Sequence, residues 1–228
     1  MSSDAAAVAD EGLARFYATK QNSYFNGARA DFVARLPRDT SAHILEIGCG
    51  TGATGALAMA RGRAGHYTGV ELFEGAAAQA REVLSDVIVG NVETIGLPWQ
   101  PCTFDALILS EVLEHLIEPW AVLERLRPFV RPGAMVLASS PNISHWRVVR
   151  ELIQGRFHLA DQGVFDRTHM RWFTPQTFAT MFERAGYEVL SVEPVTPFSE
   201  RTKRISQMTS GRWDHLFMTQ ICLEARRR

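Results

Sequence analysis

Apolar residues along this chain gather in short compact runs. The stretches between the runs carry apolar positions at helical spacing. His43 to Ile47 (HILEI) is the first run, closed by glycines, and predicts a buried strand. Ala53 to Ala60 is rich in alanine, carries Leu57 and Met59, and predicts a helix. The alternation continues with strands at Tyr67 to Glu71, Val87 to Val89, Phe104 to Leu109 and Ala134 to Ala138. Helices are predicted at Gly75 to Leu84 and Trp120 to Leu126, and the turn signal Arg131-Pro132-Gly133 precedes the fifth strand. Pro175 to Ala185 predicts a helix with Thr174 as N-cap and Gly186 as its stop. Tyr187 to Val195 and Leu216 to Leu223 are late strands. Strands alternating with helices imply an α/β fold, a parallel sheet covered on both faces. The chain up to about Arg38 reads as helical and aromatic, with Phe16, Tyr17, Tyr24 and Phe25. Ser144 to Thr174 is long for a connection, and long connections in compact domains are usually functional.

Composition narrows the class. A chain of 228 residues holds one elaborated domain rather than two, and 46% hydrophobic with 21% charged residues is ordinary for a globular protein. The formal net charge of -1 lacks the basic footprint of a nucleic-acid binder, which disfavours RNA or DNA as partner. Cys49, Cys102 and Cys222 are odd in number and widely spaced, matching neither a disulfide framework nor a CxxC metal site. A reduced, cytoplasmic compartment fits. The start, MSSDAAAVADEG, lacks the basic and apolar regions of a signal peptide, and no apolar run is long enough to span a bilayer.

The first chemical motif follows the first strand: Leu45-Glu46-Ile47-Gly48-Cys49-Gly50-Thr51-Gly52. In a strand-loop-helix unit such glycines let the backbone turn tightly and approach a nucleotide-like ligand. Glu46 stands just ahead of the loop, and Glu71 ends the second strand, where a carboxylate can accept from both ribose hydroxyls. Gly90-Asn91-Val92-Glu93 follows the third strand, where a short polar residue can read an adenine edge. On these residues the sequence closely resembles the class I methyltransferases that use S-adenosylmethionine (SAM), over roughly Phe25 to Leu223. The resemblance implies a Rossmann-like fold, a seven-stranded mostly parallel sheet with an antiparallel last strand and helices on both faces. It implies a helical cap or lid at 1–38 and a methyltransferase domain at 39–228, with an acceptor-side insert at about 144–174. It also implies a SAM site drawn from Glu46, Gly48, Cys49, Gly50, Gly52, Glu71, Leu72, Asn91, Val92 and Ser110. Tyr17 and Tyr24 of the cap either close over SAM, as the family suggests, or form a homodimer contact. In that family aspartate is commoner at the position of Asn91.

The second motif follows the fourth strand: Ser110-Glu111-Val112-Leu113-Glu114-His115. Glu111, Glu114 and His115 fall at i, i+3 and i+4, so on a helical turn they share one face. Two carboxylates and an imidazole so placed suit a divalent ion such as Mg or Mn. Metal-free members of the family carry a similar stretch, whose His acts as a base or packs, so both readings stand.

The third motif follows the fifth strand. It comprises Ser140-Pro141-Asn142, Ser144-His145-Trp146, Gly155-Arg156-Phe157 and Asp166-Arg167-Thr168-His169-Met170-Arg171-Trp172-Phe173-Thr174. The pattern resembles a branch of small O-methyltransferases associated with sugar and polysaccharide biosynthesis. It is more distantly similar to the quinol O-methyltransferases and the small-RNA terminal 2'-O-methyltransferases. In those last two groups E-x-x-E-H implies a divalent ion that holds adjacent hydroxyls of the acceptor. In the RNA enzymes a later His completes the site, and His169 matches it. The resemblance thus implies Glu111, Glu114, His115 and His169 as metal ligands. Without a metal, His115 or His169 would be the catalytic base, beside Glu114. His145, His158, Trp146 and Trp172 either line the acceptor pocket or pack, and Asn142 either touches the acceptor or orders its loop. Arg147, Arg150, Arg156, Arg167 and Arg171 either meet an acidic group or form a solvated face with internal ion pairs.

The expected function is O-methylation of a sugar, glycan or similar polyhydroxy small molecule. The alternatives are an RNA 3'-terminal 2'-O-methyltransferase, an N- or C-methyltransferase of a small metabolite, and a non-catalytic SAM-binding partner subunit.

Overall fold

The computed structural model describes residues 27–228. Most of the expected N-terminal cap, with Tyr17 and Tyr24, lies outside the described residues. The strands are β1 (His43–Ile47), β2 (His66–Glu71), β3 (Asp86–Val89), β4 (Phe104–Ser110), β5 (Val130–Pro141), β6 (Tyr187–Pro194) and β7 (Gln220–Arg227). They hydrogen-bond as one seven-stranded sheet in the order β3-β2-β1-β4-β5-β7-β6. The sheet is mostly parallel, with β7 antiparallel to both β5 and β6. Strand order reverses at β1, so the connecting helices cover both faces of the sheet. This is the fold the sequence led us to expect. The chain divides into two units, Met1–Ile108 and Leu109–Arg228.

In the first unit, β1 pairs with β2 from His43 opposite His66 to Ile47 opposite Val70. Both strands are buried along almost their whole length, as expected where both faces are covered. Helices α1 (Ala30–Arg35), α2 (Ala53–Ala60) and α3 (Glu74–Ala80) accompany them. β1 and α2 have the bounds the sequence predicts. α3 ends before the predicted Leu84, because the Ala80 carbonyl accepts from both Val83 and Leu84 and tightens the chain into a turn.

The second unit is built on the antiparallel β5-β7-β6 ladder, with α4 (Pro119–Leu126) and α6 (Pro175–Arg184) packed in it. Thr174 caps α6 in a reciprocal capping box with Thr177, and Gly186 stops it at φ 88°. β5 is longer than predicted. It absorbs Arg131-Pro132-Gly133, exposed and bent at Gly133 (φ 79°), before pairing with β7 begins at Met135. β7 starts at Gln220 rather than Leu216. Asn142 Nδ2 donates to the carbonyls of His215 (2.6 Å) and Met218 (2.8 Å), which holds that stretch as a turn. Two helices were not predicted, α5 (Trp146–Ile153) inside the insert and α7 (Glu200–Met208) between β6 and β7. Only Val148 of α5 and no residue of α7 is buried, so neither shows the inward apolar stripe that marks a packed helix.

Candidate functional site

Each unit carries one cluster of candidate residues. In the first unit the loop after β1 is shaped by three glycines in left-handed conformations, Gly48 (φ 72°), Gly50 (φ 54°) and Gly52 (φ 81°). At Gly52 a Cβ would meet Leu84 and Val83 at 2.9 Å, so close packing adds to the conformational demand. The amides of Gly48 and Cys49 donate to the Val70 carbonyl at 2.8 and 3.2 Å. Glu71, at the end of β2, fixes the loop more specifically. Its Oε2 accepts from the Gly50 amide (2.8 Å) and its Oε1 from the Phe73 amide (3.0 Å). Burial raises the Glu71 carboxyl above its usual range, while the amides of Phe73, Gly50 and Leu72 favour its anion.

Glu46 is buried and receives the Tyr67 hydroxyl at 2.9 Å. Desolvation pushes it up to about 8, against the hydroxyls of Tyr67 and Thr54 and the charge of Arg29, which favour the anion. Thr54 Oγ1 also accepts from the Arg29 amide (3.2 Å), so this acid ties β1, β2, α2 and the approach to α1 together. Sequence reasoning missed Thr54 and Tyr67, because a helix-start Thr and a strand Tyr have many ordinary roles. The Cys49 side chain is buried, and a Cβ on Gly69 of β2 would lie 2.4 Å from its sulfur, so Cys49 packs on the strand. Leu72 is half-buried and Val92 buried. The Asn91 Oδ1 accepts from the Glu93 amide (2.9 Å), a local turn that orders the stretch after β3.

In the second unit Ser110 ends β4, and the predicted helical turn is a three-residue 3-10 helix, Leu113–His115. Glu111 precedes it with left-handed backbone (φ 50°), so the shared helix face does not extend to Glu111. Its Oε2 accepts from Gln220 Nε2 at 3.0 Å. The insert supplies the remaining partner. The Met170 and Arg171 amides donate to the Glu114 carbonyl (2.8 and 3.0 Å), and this brings His169 to His115, with ring centroids 4.7 Å apart. One ligand atom from each of Glu114, His115 and His169 lies within 4.8 Å of the others.

The chemistry of this trio is sharply set. Glu114 is 1% exposed, and neither carboxyl oxygen has a hydrogen-bond partner among the described residues. Desolvation pushes its pKa well above the carboxylate range. The charges of Glu111 and Asp166 add to the rise, and the nearby Ser140 hydroxyl only partly opposes it. His115 Nδ1 donates to the Thr168 carbonyl, and His169 Nδ1 to the Val164 carbonyl, each at 3.2 Å. A carbonyl only accepts, so each neutral ring carries its proton on Nδ1 and its lone pair on Nε2. Asp166 holds the intervening loop by accepting from the Thr168 amide (2.9 Å) and hydroxyl (2.7 Å). Asp166 and Thr168 stood inside the third motif but gave no signal of this role.

Other candidates resolve as follows. Asn142 orders its loop, since its Nδ2 reaches two carbonyls and its Oδ1 accepts from the amide (2.9 Å) and hydroxyl (2.6 Å) of Ser144. His145 caps α5 by accepting from the Arg147 amide. Trp172 Nε1 donates to the Val164 carbonyl (3.0 Å), the one His169 uses. Trp146 and His158 are exposed. Among the arginines, Arg156 pairs with Glu151, Arg167 with Asp161 and Arg171 with Glu118.

Comparison with known proteins places these features in context. Residues 19–192 match the family described as a methyltransferase domain. The chain is 29% identical over 124 residues to a ubiquinone biosynthesis O-methyltransferase of Xylella fastidiosa, a match covering 51% of this chain and 49% of that protein. It is 28% identical over 176 residues to the protein of the same name from Aeromonas salmonicida, covering 70% of this chain and 69% of the relative. The chain thus spans about half the length of the first curated relatives it matches. These names concern quinone biosynthesis and lend nothing to the resemblance to a sugar or polysaccharide branch. A SAM-dependent methyltransferase from Mesorhizobium loti matches with TM-score 0.62 at 19% identity, over 88% of this chain and 98% of that one, a likeness of fold.

Proposed function

This chain belongs to the methyltransferase domain family, and from that premise we propose that it transfers the methyl group of SAM to a hydroxyl oxygen. The acceptor in this reading is a small molecule with adjacent hydroxyls, of the quinol or polyhydroxy class. The names of the relatives support an oxygen acceptor. The observation that carries the reading is the Glu114-His115-His169 trio, with Glu114 and His169 buried, His115 half-buried and both imidazole lone pairs on Nε2.

SAM presents a methyl group on a sulfonium. As the acceptor oxygen forms the new O–CH3 bond, the S–CH3 bond breaks and its electron pair stays on sulfur, leaving S-adenosylhomocysteine. The acceptor hydroxyl must lose its proton on the way, because an alcohol or phenol is a weak nucleophile at neutral pH. His115 or His169 takes that proton on Nε2, a contribution of typically about 10²–10⁴-fold. Glu71 and the glycine loop hold the ribose end of SAM, and in-line positioning supplies much of the rest.

The trio also fits a divalent cation. A buried carboxyl without hydrogen-bond partners among the described residues, beside two imidazoles held by backbone carbonyls, is the donor set of a metal site with its supporting shell. Glu114, His115 and His169 would hold it, and two nitrogen ligands favour Mn over Mg. When bound, such an ion lowers the pKa of an acceptor hydroxyl and orients a diol.

The test is calorimetric titration of Mn and Mg into protein loaded with S-adenosylhomocysteine, beside Glu114→Ala, followed by methyl transfer to compounds with adjacent hydroxyls. Saturable Mn binding lost in Glu114→Ala supports the metal. Its absence removes the metal and leaves the His base. His115→Ala is expected to lower kcat by about 10²–10⁴-fold. Unchanged turnover in that variant leaves His169 as the base, and unchanged turnover in both His115→Ala and His169→Ala overturns the catalytic assignment.

A further inference from the structure

Helix α5 and the loop after it turn an apolar surface to solvent. Trp146 is 41%, Leu152 44% and Ile153 81% exposed, and Phe157 and Leu159 in the following loop are 45% and 52% exposed. At the angular step of an α-helix, Trp146, Val149, Leu152 and Ile153 span an arc of about 120°, with Arg150 and Arg147 along one flank. Arg147 lies over the Trp146 ring at 5.3 Å. No ion pair joins Arg147 or Arg150 to a carboxylate among the described residues, whereas Glu151 is taken up by Arg156 at 2.6 Å. A helix packed in a protein turns its apolar arc inward. This one turns it outward, with a cationic flank on one side and an exposed tryptophan in the arc, as does a helix lying in a membrane interface. Contiguous exposed apolar surface of this kind marks an interaction site.

We propose that the surface from Trp146 to Leu159 docks on an anionic lipid bilayer. Leu152, Ile153, Phe157 and Leu159 enter the boundary between headgroups and acyl chains, while Arg147 and Arg150 meet lipid phosphates. Charge chooses this occupant. A two-fold contact with a second copy centred on α5 would set Arg147 and Arg150 against their own equivalents, which costs energy. Among the described residues no helix is long and apolar enough to cross a membrane, so the attachment is peripheral.

The test is flotation of the full chain with vesicles of phosphatidylcholine alone and of phosphatidylcholine mixed with phosphatidylglycerol. Binding is expected to the mixed vesicles and to weaken as salt rises. The paired change Leu152→Asp and Ile153→Asp should reduce the bound fraction about tenfold or more, and Arg147→Glu with Arg150→Glu severalfold. Thermal melting checks that each variant folds, and Ile153→Ser replaces any that does not. Failure of the folded wild-type chain to bind mixed vesicles overturns the proposal. So does binding that survives all the substitutions. A dimer abolished by the Asp pair, without vesicle binding, assigns the face to a second copy and also overturns it.

Discussion

Burial raises the pKa of Glu46 from 4.5 to about 8, so between those values the folded chain holds a proton that the unfolded chain has released. Folded-state proton excess makes stability fall as pH rises. The contribution of Glu46 is complete below about 4.5 and is lost through about 8. Glu46→Gln keeps the shape and removes the ionisation. Without cofactor, the wild type should lose on the order of a few kcal/mol more than this variant across that window. Melting temperatures in mildly acidic and mildly alkaline buffer measure it, and parallel profiles would refute it. At this scale the sequence was a partial guide. Glu114, His115 and His169 were legible as a motif and converge. The tautomers of the two histidines were not, because they are set by carbonyls of Val164 and Thr168, and a carbonyl leaves no mark in residue identity. Glu111 had the right spacing for a helix, but its left-handed backbone breaks that helix.

Among the elements, β2 shows how one strand position is fixed by a neighbouring loop. A Cβ on Gly69 would lie 2.4 Å from the Cys49 sulfur and 2.9 Å from its Cβ. Gly69→Ala should therefore destabilise by about 1–3 kcal/mol through overpacking. Adding Cys49→Ala removes the worst contact. The double variant should then be more stable than the sum of the single effects predicts, measured by urea unfolding. Strict additivity would show that the two positions are not in conflict. The sheet strands and α2 were legible because each follows a single period, apolar runs for buried strands and an alanine-rich stretch for α2. Helix α7 was not, since it buries no residue and carries few apolar ones, and α5 was passed over although its apolar residues recur at helical spacing. The start of β7 was misplaced because Asn142 imposes a turn on the apolar Leu216 and Phe217, a long-range effect that no local window contains.

For the whole chain, the family assignment makes cofactor binding a statement about stability. A ligand that binds only the folded state adds RT ln(1 + [L]/Kd), about 2.7 kcal/mol at a hundredfold excess over Kd. For a chain of this length that raises Tm by roughly 5–10 °C with S-adenosylhomocysteine. Thermal fluorimetry reads it directly, and no shift at saturating ligand would count against a SAM site. Fold class was legible at this scale because alternating strand and helix periods constrain topology strongly. The acceptor was not, because the residues proposed to face it sit in the insert, whose contacts are set by loop geometry.

The carbonyl of Val164 serves two donors at once, the His169 ring and the Trp172 indole. Every amino acid brings a carbonyl, so no substitution at 164 can delete that oxygen. Inserting or removing one residue between 161 and 168 would shift both imidazole-setting oxygens out of place. Protein lineages carrying this site are thus free to vary in spelling at 164, where only the backbone is used, but not in the count of residues.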